Sequence, residues 1–366
     1  MHDVIIVGGG AVGLSIAREL AGHGASVLVL DRGNPRDATS WAAAGMLAPQ
    51  SEADSASPLL DFSLASARIY RDWTSHLHEE SGIDPEYADS GLLFVASTDE
   101  ALCRLSRMAE WQRSIGLGAD LLTPAEVTQL EPHLTLPLRG AIYLRDECHV
   151  TPRRLLEALT GACVSKAVEI RRGIRVLDVI QAGDRVVGVR TSTEQFQAQR
   201  VVIASGVQSA VIGGLSPPIP VAPRKGQILS LTSGSRTFTR MIRWEHAYIV
   251  PRRNGELIVG ATDEDAGFDR SITPAGVGSL LDRAQQLSSD LANLPIGEMW
   301  TGLRPATPDG LPVLGEASIE GLIYATGHYR NGILLAPITA MSVASLMGNG
   351  SAPVPLEAFA PSRFAV

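Results

Sequence analysis

A chain of 366 residues is longer than one hydrophobic core usually fills, so two lobes, or one large α/β domain with an inserted second lobe, are expected. With 45% apolar and 19% charged residues the composition is globular, and a net charge of −8 argues against nucleic acid or an anionic membrane as partner. Cys103, Cys148 and Cys163 are widely spaced and form no CxxC pair, which suggests neither a disulfide framework nor a zinc site and fits a reducing, cytoplasmic location.

The first element is the apolar, β-branched run Asp3 to Val7, which reads as a buried parallel strand. It runs straight into glycines, with no signal-like segment ahead of it, so the fold is expected to begin at the N-terminus. Gly8-Gly9-Gly10-Ala11-Val12-Gly13 follows, then Leu14, Ile16, Ala17, Leu20 and Ala21 at helical spacing, then a second strand from Ser26 to Leu30 that closes on Asp31. Alone, GxGxxG could be a plain glycine-rich turn; strand, glycine turn, helix, strand and acid in this order read as a dinucleotide-binding unit. Gly8 permits the tight turn, Gly10 lets a pyrophosphate approach the backbone beside Ala11 and Val12, and Gly13 lets the helix pack closely. Asp31, 18 residues beyond Gly13, can accept hydrogen bonds from ribose hydroxyls and would repel a 2′-phosphate. Arg32 is either part of that site or a surface arginine, and the unit alone does not separate FAD from NAD.

Ala38 to Pro49 is small, hydroxylated and alanine-rich, suited either to a flat ring lying against backbone or to a plain alanine helix. Val201 to Gly206 is an apolar strand ending in small residues, and Trp244 to Thr262 reads as a hairpin about Asn254-Gly255. Asn331-Gly332 forms a turn opening the last helix. The apolar stretch Ile333 to Met347, with Pro337 near its start, is too short to span a bilayer and reads as a buried helix. No metal-ligand cluster and no nucleophile elbow is present.

Several segments carry a family resemblance, among them the strand Val201 to Gly206, which is similar to the family's strand that returns to the nucleotide domain. Thr39-Ser40, followed by Ala44-Gly45-Met46-Leu47-Ala48-Pro49, resembles the flavin-approaching segment of the glycine oxidase and D-amino-acid oxidase family. Gly302 to Gly315 and Gly327 to Pro337 resemble the C-terminal blocks of glycine oxidases of the thiamine-biosynthesis type. The resemblance extends from Met1 to about Met347, mainly in pattern over residues 50–200, and has one local departure: Gln208 stands where the family often has tryptophan.

The resemblance implies an FAD-binding Rossmann-type lobe (1–80, 150–215 and 300–366) and a substrate lobe built on a mainly antiparallel sheet plus helices (81–149 and 216–299). It implies FAD bound non-covalently, since the linking cysteine of sarcosine oxidase relatives would lie in the C-terminal part and no cysteine follows Cys163. Thr39, Ser40, Ala44, Gly45, Met46, Ala204, Gly206, His328, Arg330, Asn331, Gly332 and Ile333 are expected at the flavin, and the backbone of Val176 at adenine. Arg304 is the implied carboxylate clamp, Arg330 the second active-site arginine, Tyr248 the cover over the substrate and Met46 an apolar wall. Read from the residues alone, Arg304 is more often an ion-pair partner, Tyr248 a cross-strand packing residue, and Met46 and Val176 core filling. His328 reads as structural or flavin-side, and not as a general base.

The activity implied is oxidative deamination of glycine, sarcosine or a small D-amino acid by hydride transfer to flavin N5, with O2 as acceptor. The products are imine and hydrogen peroxide, and the pathway is thiamine thiazole synthesis. Backbone N–H groups at Asn331-Gly332 would stabilise negative charge on the flavin as it is reduced. The rivals are a dehydrogenase passing electrons to a quinone or partner protein, an NAD-dependent oxidoreductase, and a silent flavin-binding module. A homotetramer is expected by analogy with relatives.

Overall fold

The computed structural model describes residues 2–234, 238–245 and 247–365; His246, inside the expected hairpin segment, lies outside them. Two eight-stranded sheets organise the chain. In the first, the strand His2–Val7 lies between Val27–Asp31 and Gln195–Ile203, and all three are parallel. Leu322–Thr326 and Glu169–Arg172 extend the parallel set on either side. Gln195–Ile203 is long enough to leave this set at its start and pair antiparallel with Arg185–Thr191.

Alternation along the strands separates two cores. Val4 and Ile6 face the helices Ala11–Gly22, Pro58–Ser81, Pro152–Ser165 and Ala336–Leu346, whereas Ile5 and Val7 face the antiparallel strands that carry Val179, Val186 and Val189. The last helix carries no charged residue and is buried along most of its length, with Met341 exposed and Pro337 in its first turn, where a missing N–H costs nothing. It starts at Ala336 and not at the Asn331-Gly332 turn, because the Leu335 N–H closes a preceding turn onto the Asn331 carbonyl at 2.8 Å. No described helix is long and apolar enough to cross a membrane.

The second sheet runs in the order Ile296–Ala306, Ala222–Thr232, Glu256–Gly260, Ala247–Pro251, Met241–Trp244, Leu92–Ala96, Gly140–Leu144 and Asp120–Leu122. It is antiparallel except where Met241–Trp244 meets Leu92–Ala96. The hairpin turns at Asn254-Gly255 as expected, with Gly255 at φ +84°. Residue 300 lies inside the edge strand of this sheet. One face, carrying Leu229, Ile249 and Leu257, packs on the helix Pro274–Leu287; the other, carrying Ile228, Val250 and Ile258, packs against Ala42, Ala44 and Ala48 of the first lobe. The site forms along that second face.

Candidate active site

A single cavity of about 730 Å³ runs from the glycine turn to the second sheet. Gly8, Gly10, Val12, Asp31, Arg32, Thr39, Ser40, Ala44, Gly45, Met46, Ala204, Gly206, His328, Arg330, Asn331, Gly332 and Ile333 line it, together with Arg304 and Tyr248. Ala11 and Gly13 lie behind the wall. Val176 lines a separate small pocket of about 60 Å³, which shares Gly8, Asp31, Arg32, Ser205 and Gln208 with the large cavity. Gln208 thus fills part of the wall at the junction of the two spaces.

At the nucleotide end each glycine has a distinct cause. Gly8 has φ +113°, and a Cβ there would lie 2.5 Å from the Ala204 carbonyl oxygen. A Cβ on Gly13 would lie 1.9 Å from the Gly8 oxygen, so helix and strand meet only without it. At Gly10 a Cβ would meet only Ser40 Oγ, at 3.2 Å. The helix Ala11–Gly22 begins with no side-chain cap of its own; Ser40 Oγ accepts from Ala11 N–H at 3.0 Å instead. Asp31 accepts from Gly9 N–H at 2.7 Å and Gly33 N–H at 2.9 Å, so it builds the turn as well as facing the cavity.

In the middle, Thr39–Ala42 is a short helix and Met46–Leu47 pairs with Cys148–His149. Thr39 Oγ1 donates to the Leu303 carbonyl at 2.6 Å, tying the two lobes together. Arg252, which sequence reasoning missed, is buried behind this segment and donates to the carbonyls of Ala44 at 2.5 Å and Val150 at 2.8 Å. Burial pulls its guanidinium down to about 10; burial and the Arg252 charge pull His149 down to about 3. Opposite, the N–H groups of Gly332, Ile333 and Leu334 find no protein acceptor among the described residues, while Tyr70 and Ser66 hydroxyls donate to the Ile333 and Leu334 carbonyls at 3.0 and 2.6 Å. His328 is buried, which pulls its imidazole down to about 4, and its Nε2 lies 3.1 Å from Thr339 Oγ1.

At the far end Arg304 projects from an antiparallel strand pair, over Gly226 of the neighbouring strand. Its Nη1 donates to the Thr262 carbonyl at 3.1 Å, and among the described residues no carboxylate lies within 4.0 Å of it. The structure therefore does not place Arg304 in an ion pair. Tyr248 lies on the backbone of Gly260, where a Cβ would come 2.3 Å from the ring. Burial pushes its phenol up, against the charges of Arg304 and Arg330, and its hydroxyl bonds to no described residue.

Arg330 is differently placed: its side chain is 40% exposed and its Nη2 donates to Asp263 at 2.8 Å, with Glu52 3.9 Å from Nη1. Asp263 also accepts from Arg224 at 3.0 Å and from the Tyr329 hydroxyl at 3.0 Å; burial alone would raise its carboxyl, but these donors hold it below the usual carboxylate range. Glu52 pairs with Arg243 at 3.0 Å. Glu52, Arg243 and Asp263 carry no local motif, so no sequence signal singled them out. Gly226 and Gly260 were findable, since a glycine inside a strand marks close approach of another group.

The family model for FAD dependent oxidoreductases (DAO) matches residues 3–346. The bifunctional protein ThiO/ThiG of Trichormus variabilis is 38% identical over 99% of this chain and 55% of its own length. The glycine oxidase of Geobacillus kaustophilus is 36% identical over 99% of this chain and 97% of its own. The crystal structure of that glycine oxidase superposes with a TM-score of 0.95, covering 99% of this chain and 98% of that one. The chain spans about half the length of the first curated relatives it matches.

Proposed function

Because this chain belongs to the DAO family of FAD dependent oxidoreductases, we propose that it oxidises the C–N bond of glycine or another small amino acid, with O2 as acceptor, giving an imine and hydrogen peroxide. The single observation that carries the reading is Arg304, a guanidinium without a carboxylate partner among the described residues, lining a dinucleotide-sized cavity together with Tyr248. The glycine oxidase relatives support the substrate class.

The residues present fit FAD. Gly8, Gly10 and the N-terminus of the helix Ala11–Gly22 form a cradle a Cβ would disturb, Asp31 faces it, and the free N–H groups of Gly332 to Leu334 suit an electron-rich ring edge. Bound FAD supplies the two-electron acceptor that no side chain here provides. In this reading 1–80, 150–215 and 300–366 hold the cofactor and 81–149 and 216–299 the substrate side.

Arg304 binds the substrate carboxylate through its planar fork, which fixes the α-carbon toward the cofactor. Tyr248 covers the substrate and excludes water, and Met46 supplies an apolar wall. His328 stays neutral at physiological pH with its Nε2 at Thr339, so it holds the cofactor side and moves no proton. Orientation and exclusion of water are the protein's contributions, and the released imine hydrolyses to oxo acid and ammonia. A cytoplasmic, homotetrameric enzyme feeding thiamine thiazole synthesis completes the reading.

The test is the visible spectrum of the purified protein, recorded anaerobically with glycine, sarcosine and D-alanine in turn and then with air admitted. Bleaching by one amine and recovery with peroxide is expected. A yellow protein reduced by an amine but not reoxidised by air would replace the oxidase with a dehydrogenase, and a colourless one would overturn the reading.

A further inference from the structure

Two arginines of the second lobe line the cavity with no carboxylate within 4.0 Å among the described residues, and only Arg304 is accounted for by one carboxylate. The second is Arg283. It projects from the helix Pro274–Leu287, one turn beyond Ser279, beside the Leu280 and Ala284 stripe that packs on the sheet. Ser279 and Arg283 both line the cavity. Arg283 is half-buried, and among the described residues it makes no hydrogen bond and no ion pair within 4.0 Å.

The neighbouring arginines are all engaged: Arg243 by Glu52, Arg224 and Arg330 by Asp263, and Arg252 by backbone carbonyls. The lining carboxylates Glu52 and Asp263 are thereby balanced. Glu245, which also lines the cavity, has no partner among the described residues but is exposed and screened by solvent. A half-buried cation held in a cavity wall without a counter-charge is a site prepared for an anion from outside.

We propose that Arg283 forms a second anion subsite of the substrate cavity, selecting amino acids that carry a further carboxylate on the amine or side chain. The inference rests on the reading that Arg304 holds the first carboxylate. Arg304 anchors the reacting end, and Arg283 pairs with the distal acid. A monocarboxylate uses only the first contact, so the two substrate classes respond differently to loss of the second.

The experiment compares wild-type holoenzyme with Arg283→Ala and Arg283→Lys, using iminodiacetate and D-aspartate as diacids and sarcosine and D-alanine as their monoacid counterparts. For at least one pair, the ratio of kcat/KM for diacid over monoacid should fall tenfold or more in Arg283→Ala, through KM, and recover in part in Arg283→Lys. Calorimetric titration of the holoenzyme with iminodiacetate, which needs no turnover, should show the same weakening. Unchanged ratios and unchanged binding would overturn the subsite. A wild-type protein that binds iminodiacetate through Arg283 but oxidises no amino acid would leave the subsite standing and remove the proposed activity.

Discussion

The guanidinium of Arg304 lies so close over Gly226 that a Cβ at position 226 would come within 2.5 Å of its Nη2. The clamp and its neighbour on the next strand are therefore one unit. Gly226→Ala should push the guanidinium off its position and raise the KM for glycine, as Arg304→Ala should, by about 1–3 kcal/mol of lost binding. Steady-state kinetics with the flavin spectrum as control checks this. An unchanged KM in Arg304→Ala would remove the clamp assignment.

Tyr248 presents a ring against Gly260 and a hydroxyl without a partner among the described residues. Tyr248→Phe should therefore retain kcat/KM within about threefold, since no buried hydrogen bond is broken. Tyr248→Ala should lose much more by admitting water. A large loss in the phenylalanine variant would show that the hydroxyl touches the substrate.

Glu147 is fully buried; its Oε1 accepts from Ser51 N–H at 2.6 Å and its Oε2 has no partner among the described residues. Burial pushes its carboxyl up to about 8, outweighing the Ser51 bonds and the Arg243 charge. With the folded value raised, the folded state keeps the proton longer than the unfolded chain. The contribution is thus complete below about pH 4.5 and is lost as pH rises toward 8, by a few kcal/mol in order of magnitude. Thermal melts from pH 5 to 9 should show this decline in the wild type and a flatter profile in Glu147→Gln.

Gly10 meets only Ser40 on its protein side, so its other side is open to the cavity. Gly10→Val should fold yet purify without yellow colour. Gly13→Ala should instead lower the melting temperature, because its Cβ would lie 1.9 Å from the Gly8 oxygen. A yellow Gly10→Val protein would contradict the pyrophosphate role.

Arg252 is the buried support of the flavin-side segment, and its loss leaves the Ala44 and Val150 carbonyls without their donor. Arg252→Ala should both loosen FAD, read as a raised Kd in reconstitution of the apoprotein, and lower stability by about 1–3 kcal/mol per orphaned carbonyl. Unchanged affinity would confine Arg252 to a structural role.

Local order was written in the chain itself. The run Val4 to Val7, its glycines and Asp31 prescribe strand, turn and helix because backbone sterics and alternation act within a few residues, and Asn254-Gly255 prescribes the hairpin for the same reason. The resemblance of Gly302 to Pro337 located Arg304 and Arg330. What pairs with what depended on strands far apart in sequence. Among the described residues Arg304 meets a backbone carbonyl and no carboxylate while Arg330 is held by Asp263, Asp31 holds the glycine turn, and Ser40 caps a helix 29 positions away. Charge pairing and close packing are decided by distances between elements, and those distances exist only after the two sheets have met.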